Sequence, residues 1–414
     1  MTNLYRRRSD CRLCGQNDFT LVLKLEPTPP ANAFVKKKDV DKKQHKFPLD
    51  VFFCEKCNHV QLLDIVDPKI LFENYVYVSG TSPVFVKHFE DYSHNILTKF
   101  HLETNSLIVD IGSNDGTLLN FFKAAGHRVL GIDPAKKIAK NATKNGIETL
   151  PSFFNYDFSK FVREKYGLAS VVTANNVFAH VDELKEFVRG IRNILSPTGI
   201  FVFEVSYLVD VIEKTLFDMI YHEHLSYHSI KPLIPFFGLN DLQLVDAWRM
   251  NVHGGSIRGF VQHKDGPYLV KNSIQKLVNL EDQMKLNNSQ TFKDFSSKIN
   301  EHKVQFQEFI KKIKFQGKTI AGFGASAKAT TLMYHFGIDP ETIDFIVDDN
   351  PIKQGLFSPG LHIPVFSSKM IYEKKPDYLI IMAWNFAESI IKKHADFGKQ
   401  GGHFIIPLPN LEVY

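Results

Sequence analysis

Three histidines, two tyrosines and a glutamate fall within eight residues, Tyr221-His-Glu-His-Leu-Ser-Tyr-His228. An imidazole titrates near neutral pH, and a neighbouring carboxylate can hold its tautomer and stabilise its cation. Acid/base chemistry is one reading of this stretch. Chelation of a metal by His-x-His is a second, and an exposed polar loop is a third. The N-terminus carries a different chemistry. The chain's four cysteines form two pairs, Cys11-Arg-Leu-Cys14 and Cys54-Glu-Lys-Cys57. Four thiolates at this spacing suit tetrahedral zinc. Such a site has no open position, so its zinc is structural, and its binding supplies folding free energy that a small unit lacks. Neither knuckle is followed by a basic helix, which argues against a nucleic-acid finger.

A third constellation is Ser106-Leu-Ile-Val-Asp-Ile-Gly-Ser-Asn-Asp-Gly-Thr117. A β-branched apolar run breaks at Gly112 and reaches a helix start at Gly116, the pattern of a buried parallel strand, a tight turn and a helix. Gly112 lets the backbone approach a ligand, and Ser113 and Asn114 offer polar groups beside it. Asp133 closes the next apolar strand, where an acid is placed to bind ribose hydroxyls. The G-x-G-x-x-G pyrophosphate cradle is missing, so S-adenosylmethionine (SAM) fits better than a dinucleotide. Asn175 and Asn176 end a further strand, with His180 just beyond and Tyr207 at the end of the next. Ligands of α/β sheets bind outside the carboxyl ends of the strands, which places these residues at the crevice.

Three further stretches have both a plain and a chemical reading. Phe72 to Ser82 carries aromatic residues alternating with apolar ones, then breaks at Ser79-Gly80-Thr81. It is either a strand and turn at a domain interface or a lid over the cofactor. His253-Gly-Gly-Ser256 and Arg258 lie between two expected strands, as a hairpin turn or as donors to an anionic or hydroxylated ligand. Gly322-x-Gly324 with Ala327, Lys328 and Asp348-Asp349 forms a second strand–glycine–helix unit. On spacing it suits NAD, or the phosphates of another nucleotide diphosphate.

These residues need sheets to carry them. The chain has 414 residues, 44% of them hydrophobic and 23% charged, an ordinary globular composition too long for one compact domain. The expected architecture is α/β in three parts. A small zinc-binding domain spans 1–70. A central Rossmann-like domain over 71–268 has strands at 107–111, 128–132, 170–174 and 200–204. Linker helices and a C-terminal Rossmann-like domain span 269–414. The net charge of +5 is mild and does not argue for nucleic acid. No secretory signal or membrane-length apolar run is visible, so a cytoplasmic location is expected.

Taken together, the pieces resemble the SAM-dependent nucleotide-sugar C-methyltransferases that build branched deoxysugars. The resemblance rests on the two knuckles, Pro30-Ala-Asn-Ala-Phe34, Asp110-Ile-Gly-Ser-Asn-Asp-Gly116, His222-Glu-His-Leu-Ser-Tyr227, His253-Gly-Gly-Ser256 and Gly322-x-Gly-Ala-x-Ala-Lys328. It implies an N-terminal zinc-binding domain, a central SAM domain, and a C-terminal domain that holds a nucleotide-diphosphate 4-keto-6-deoxy sugar rather than NAD. It implies His224 as the base with Tyr221 and Glu223 beside it, and Tyr75, Asn176 and His180 lining the sugar pocket. Asn32, Tyr207, His253, Ser256, Arg258 and Lys328 are then expected on the substrate, and Gly112, Ser113, Asn114, Asp133, Asn175, Ser79 and Gly80 on the cofactor. The expected reaction is C-methylation at C3 through an enolate. An O- or N-methyltransferase acting on another small molecule is the alternative. No metal is needed for this chemistry, so the zinc is expected apart from it.

Overall fold

A computed structural model describes residues 4–73, 80, 83–252 and 254–414. Tyr75, Ser79 and His253 lie outside the described residues. Among the described residues, three larger sheets and a two-stranded ribbon of Tyr5–Arg7 with Asp64–Val66 carry the chain, in agreement with the α/β architecture read from the sequence.

The central sheet has seven strands, in the order Leu242–Met250, Ser256–His263, Leu195–Ser206, Ala169–Asn175, Leu107–Ile111, Arg128–Ile132 and Thr149–Leu150. The last five are parallel, and Leu242–Met250 with Ser256–His263 is an antiparallel hairpin at one edge. The Leu107–Ile111 strand is buried along its whole length, because helices cover both faces of a parallel sheet. Helix Pro83–Lys99 packs one face through Phe89, Tyr92 and Ile96.

The C-terminal sheet is mainly parallel, with Ile320–Phe323 at its centre between Ile346–Val347 and Tyr378–Ile381. Helix Ala327–Phe336 follows its central strand. Helices Asn272–Gln283 and Ser289–Phe315 connect the central and C-terminal sheets. In the second, Phe292, Phe295, Ile299, Phe306, Ile310 and Ile313 recur at helical spacing and are buried. This stripe touches both ends of the molecule. Phe292 meets Phe53 of the N-terminal domain at 5.4 Å, and Phe306 meets Phe336 of the C-terminal domain at 5.3 Å.

The N-terminal sheet has an unexpected member. Its order is Ser226–Tyr227, Val60–Leu62, Phe47–Cys54 and Phe19–Thr28, all antiparallel. The edge strand comes from the histidine-rich stretch of the central domain, and two residues give no alternation by which a sequence could announce it. Among the described residues, no helix is long and apolar enough to cross a membrane.

Candidate active site

The glycine turn after Leu107–Ile111 is a cradle whose shape depends on missing side chains. Gly112 has φ +74°, and a Cβ there would stand 2.2 Å from Val177 Cγ2. A Cβ on Gly131 would stand 2.4 Å from Ser113 Oγ. Asp133 fixes the turn: one carboxylate oxygen accepts from the Asn114 N–H at 2.9 Å and the other from Ala135 N–H at 2.8 Å. Asp115 accepts from the N–H of Thr117 and, at 2.9 Å, from that of Gly80, so Gly80 meets the turn. Ser113 Oγ and both amide atoms of Asn175 are buried without a hydrogen-bond partner. Orphaned polar atoms at the carboxyl ends of parallel strands, with no pyrophosphate loop, fit the ribose and amino-acid ends of SAM. The substitution Gly112→Ala puts an L-residue in a left-handed conformation, at about 1–2 kcal/mol, and adds the clash. It is expected to lower Tm by several degrees and weaken SAM binding, read by thermal melts and calorimetric titration.

Asp110 lies behind the turn, hydrogen-bonded by Thr173 Oγ1 at 2.6 Å. Burial, opposed by that hydrogen bond and assisted by the charge of Asp133, pushes its carboxyl up to about 7. The folded state therefore holds this proton more tightly than the unfolded chain, whose carboxyl titrates near 4. The stabilising contribution is full below about pH 4 and is lost as pH rises through about 7. Asp110→Asn is expected to remove this slope from melts run between pH 5 and 8.

The histidine-rich stretch follows a short 3-10 turn, Phe217–Met219. His224 Nδ1 lies 2.7 Å from the Met219 carbonyl oxygen. A carbonyl can only accept, so Nδ1 carries the proton, and in the neutral ring the lone pair is on Nε2. Four rings stack in sequence around it: Phe72 on His180 at 5.6 Å, His180 on His224 at 5.0 Å, and His224 against Tyr221 at 4.1 Å. Burial, and then the charge of His224, hold His180 well below the usual imidazole range. His180 is therefore a neutral ring, with Nε2 buried and unpaired. Glu223 accepts from Asn32 Nδ2 at 2.8 Å, bringing the Pro30–Phe34 segment of the N-terminal domain to the same place.

The other histidines of the stretch serve the fold. His222 Nε2 faces the carbonyls of Phe47 and Pro48 at 3.3 and 3.2 Å, and burial lowers it to about 4. His228 is stacked between Phe178 and His59 and is lowered by burial to about 3. His222 and His224 thus face different carbonyls. Among the described residues, the one group of three or more metal-ligating side chains with converging atoms is Cys11, Cys14, Cys54 and Cys57.

In that group the ligand atoms lie within 4.8 Å of one another, with Cys11–Cys57 and Cys14–Cys54 sulfurs 3.6 Å apart. Four sulfurs at about 2.3 Å from one zinc stand roughly 3.8 Å apart, so the quartet fits the metal. The site is separate from His224, but not unconnected. Arg12, between the first two cysteines, is buried and donates to the Leu62 carbonyl and, at 3.5 Å, to that of Leu225, the residue after His224. Leu62 N–H also donates to the Leu225 carbonyl at 2.9 Å.

The remaining expected residues are more dispersed. Asn176 ends its strand with φ +55° and gives its N–H to the Glu204 carbonyl. Tyr207 is fully buried and donates its hydroxyl to Glu281, which also caps the backbone at Ile230 and Lys231. Ser256 Oγ donates to Val252, and Arg258 is buried against Glu204 with its guanidinium 4.0 Å from the centre of the Tyr92 ring. All three side chains are hydrogen-bonded within the fold, and Arg258 keeps Nη1 buried without a partner. Lys328 contacts Asn385 and lies 3.8 Å from Asp218. Reading the sequence missed Asp218, Trp384 and the Met219 carbonyl. A backbone acceptor has no sequence signal, and Asp218 stands outside the dense stretch.

Comparison with known proteins matches three stretches of the chain. Residues 11–72 match a zinc binding domain, 86–247 a methyltransferase domain, and 251–409 a C-methyltransferase C-terminal domain. The C-methyltransferase NovU of Streptomyces niveus is 32% identical over 413 residues, covering 100% of this chain and 98% of that protein. The chain belongs to this C-methyltransferase family. In this family member the central domain is the SAM-dependent methyltransferase domain, and the cysteine quartet is the zinc site. Solved structures also resemble it in part. Magnesium protoporphyrin IX methyltransferase from Synechocystis PCC 6803 is 12% identical over 42% of this chain and 78% of its own, with a TM-score of 0.33. A SAM-dependent methyltransferase from Clostridium acetobutylicum is 13% identical over 44% and 92%, with a TM-score of 0.35. Scores this low say nothing about substrate.

Proposed function

We propose that this C-methyltransferase methylates C3 of a nucleotide-linked 4-keto-6-deoxy sugar through an enolate, in the assembly of a branched-chain sugar. The observation that carries the reading is the Nδ1–H of His224 on the Met219 carbonyl. It leaves Nε2 as a base among Tyr221, His180 and Glu223. A methyltransferase acting on oxygen or nitrogen needs no carbon-acid base. Carbon becomes a nucleophile only when an adjacent carbonyl acidifies its C–H bond, which a 4-keto sugar offers at C3.

His224 Nε2 takes the C3 proton, and the electron pair spreads onto the C4 oxygen. SAM, when bound, supplies the electrophilic methyl group that the C3 carbon accepts. An α-keto proton is a far weaker acid than imidazolium, so the enolate oxygen needs a donor. His180, kept neutral by burial, and Tyr221, whose rings lie against that of His224, are the donors assigned here. Loss of one such donor lowers the rate on the order of 10²–10³. Asn32 acts through Glu223, whose carboxylate it holds. Tyr75, Asn176, Tyr207, His253, Ser256, Arg258 and Lys328 are assigned to the substrate by family resemblance. Of the described ones, Lys328, at the N-terminal end of Ala327–Phe336, stands where phosphates bind best.

Asn32→Ala removes one partner of Glu223 and is expected to lower kcat about tenfold, the effect of one lost buried hydrogen bond, with SAM affinity unchanged by calorimetric titration. The reading as a whole is tested in D2O with S-adenosylhomocysteine in place of SAM. Deuterium should enter C3 of the ketosugar with native protein and not with His224→Gln. Methyl transfer to a hydroxyl of the same sugars, with no exchange at C3, would overturn it.

A further inference from the structure

We infer that Asp218 is a positioning residue for the base and that the C-terminal domain, through Asp218 and Thr331, sets the tautomer of His224. The inference rests on the reading of His224 as the base. Its physical basis is a clamp on the two residues flanking the carbonyl that holds the imidazole. Met219 gives that carbonyl. On one side, Asp218 is fully buried; its Oδ2 accepts from Trp384 Nε1 at 2.7 Å and lies 3.8 Å from Lys328 Nζ, while Oδ1 has no partner. On the other side, the Ile220 carbonyl accepts from Thr331 Oγ1 at 2.7 Å. Trp384, Lys328 and Thr331 all belong to the C-terminal domain, the last two to helix Ala327–Phe336. Phe217, just before Asp218, stacks on Phe336 of the same helix at 5.3 Å.

The grip extends to the second arm of the site. Thr330 Oγ1 donates to the Ala31 carbonyl at 3.1 Å, and the next residue, Asn32, donates to Glu223. One helix therefore fixes the backbone behind His224 and the backbone behind Asn32. A fully buried carboxylate facing an ammonium and an indole N–H is an unfavourable way to fill a core unless orientation is gained. Here the gain is the direction of one carbonyl. A neutral imidazole can carry its proton on either nitrogen, and the Met219 carbonyl selects Nδ1. If that carbonyl turns away, the proton is free to move to Nε2 and the base is lost at the reacting atom.

The test uses full-length protein with 15N-labelled histidine. The His224 resonances are assigned by their loss in His224→Gln. In the native protein they should report a single Nδ1–H tautomer. Asp218→Asn and Thr331→Val should each give a tautomer mixture and lower kcat between about tenfold and a hundredfold, the range for a displaced catalytic group. KM for the ketosugar and SAM affinity should stay within about twofold. Thr331→Ser, which keeps the hydroxyl, should restore both the single tautomer and the rate. If Asp218→Asn does not fold, Thr331→Val carries the same test. A pure Nδ1–H tautomer with native kcat in the folded variants would overturn the inference. Full activity in His224→Gln would instead overturn the reading of His224 as the base.

Discussion

Replacing His224 with glutamine is expected to lower methyl transfer by on the order of 10²–10⁴, the contribution of a positioned general base, while SAM binds with native affinity. The separation follows from where the two functions stand. The turn proposed to cradle SAM follows Leu107–Ile111 and is braced by Asp133, and its hydrogen bonds are local to the central sheet. His224 stands on the segment after Phe217–Met219, anchored by its own Nδ1–H on Met219. Glutamine keeps a polar side chain of similar reach but has no basic nitrogen. Losing the base leaves the donors His180 and Tyr221, which stabilise an enolate that is now formed too slowly. Calorimetric titration with S-adenosylhomocysteine and a turnover assay, run on the same preparation, distinguish the two effects. Loss of cofactor binding in this variant would mean that His224 holds up the fold.

Removal of zinc is expected to be as damaging, although the metal does no chemistry. Structural zinc contributes about 10–16 kcal/mol of apparent binding free energy in zinc-finger peptides, comparable to or larger than the 5–15 kcal/mol stability of a whole domain. The cysteine quartet lies at the end of the Phe47–Cys54 strand and beside Val60–Leu62. The latter strand pairs with Ser226–Tyr227, two residues beyond the base. Chelation, or Cys54→Ser, should melt the N-terminal sheet, free residues 225–227 and release Asn32 from Glu223. Hydrogen exchange should show protection lost at 225–227, transfer should fall by at least the factor expected for His224→Gln, and SAM affinity should change little. A zinc-free protein with 225–227 still protected would show that the metal supports only its own knuckles.

The parts legible in the sequence were those written locally. A strand, a glycine turn and a helix lie within twelve residues at Ser106–Thr117, and the cysteine pairs state their ligand set by spacing alone. The family resemblance drew together Tyr221, Glu223, His224, His180 and Asn32; in the structure Tyr221 and His180 lie against the His224 ring, and Asn32 donates to Glu223. What could not be read depends on long-range packing. His222, His224 and His228 are alike in sequence; only the carbonyls and rings facing them distinguish His224 from the other two. Arg258 reads as an anion donor in the sequence, and only the fold pairs it with Glu204 on the neighbouring strand while its Nη1 stays unpartnered. The Ser226–Tyr227 strand and the Asp218–Trp384 contact join domains more than a hundred residues apart in the chain, and no local pattern encodes either.

The most direct measurement of the central claim is NMR of the product formed from 13C-methyl SAM and a panel of nucleotide-linked 4-keto-6-deoxy sugars. The account predicts a new methyl carbon bonded to a quaternary C3, with the nucleotide set by whichever panel member reacts. A labelled methyl on oxygen would contradict it, leaving the fold and cofactor in place but removing the enolate and the role given to His224.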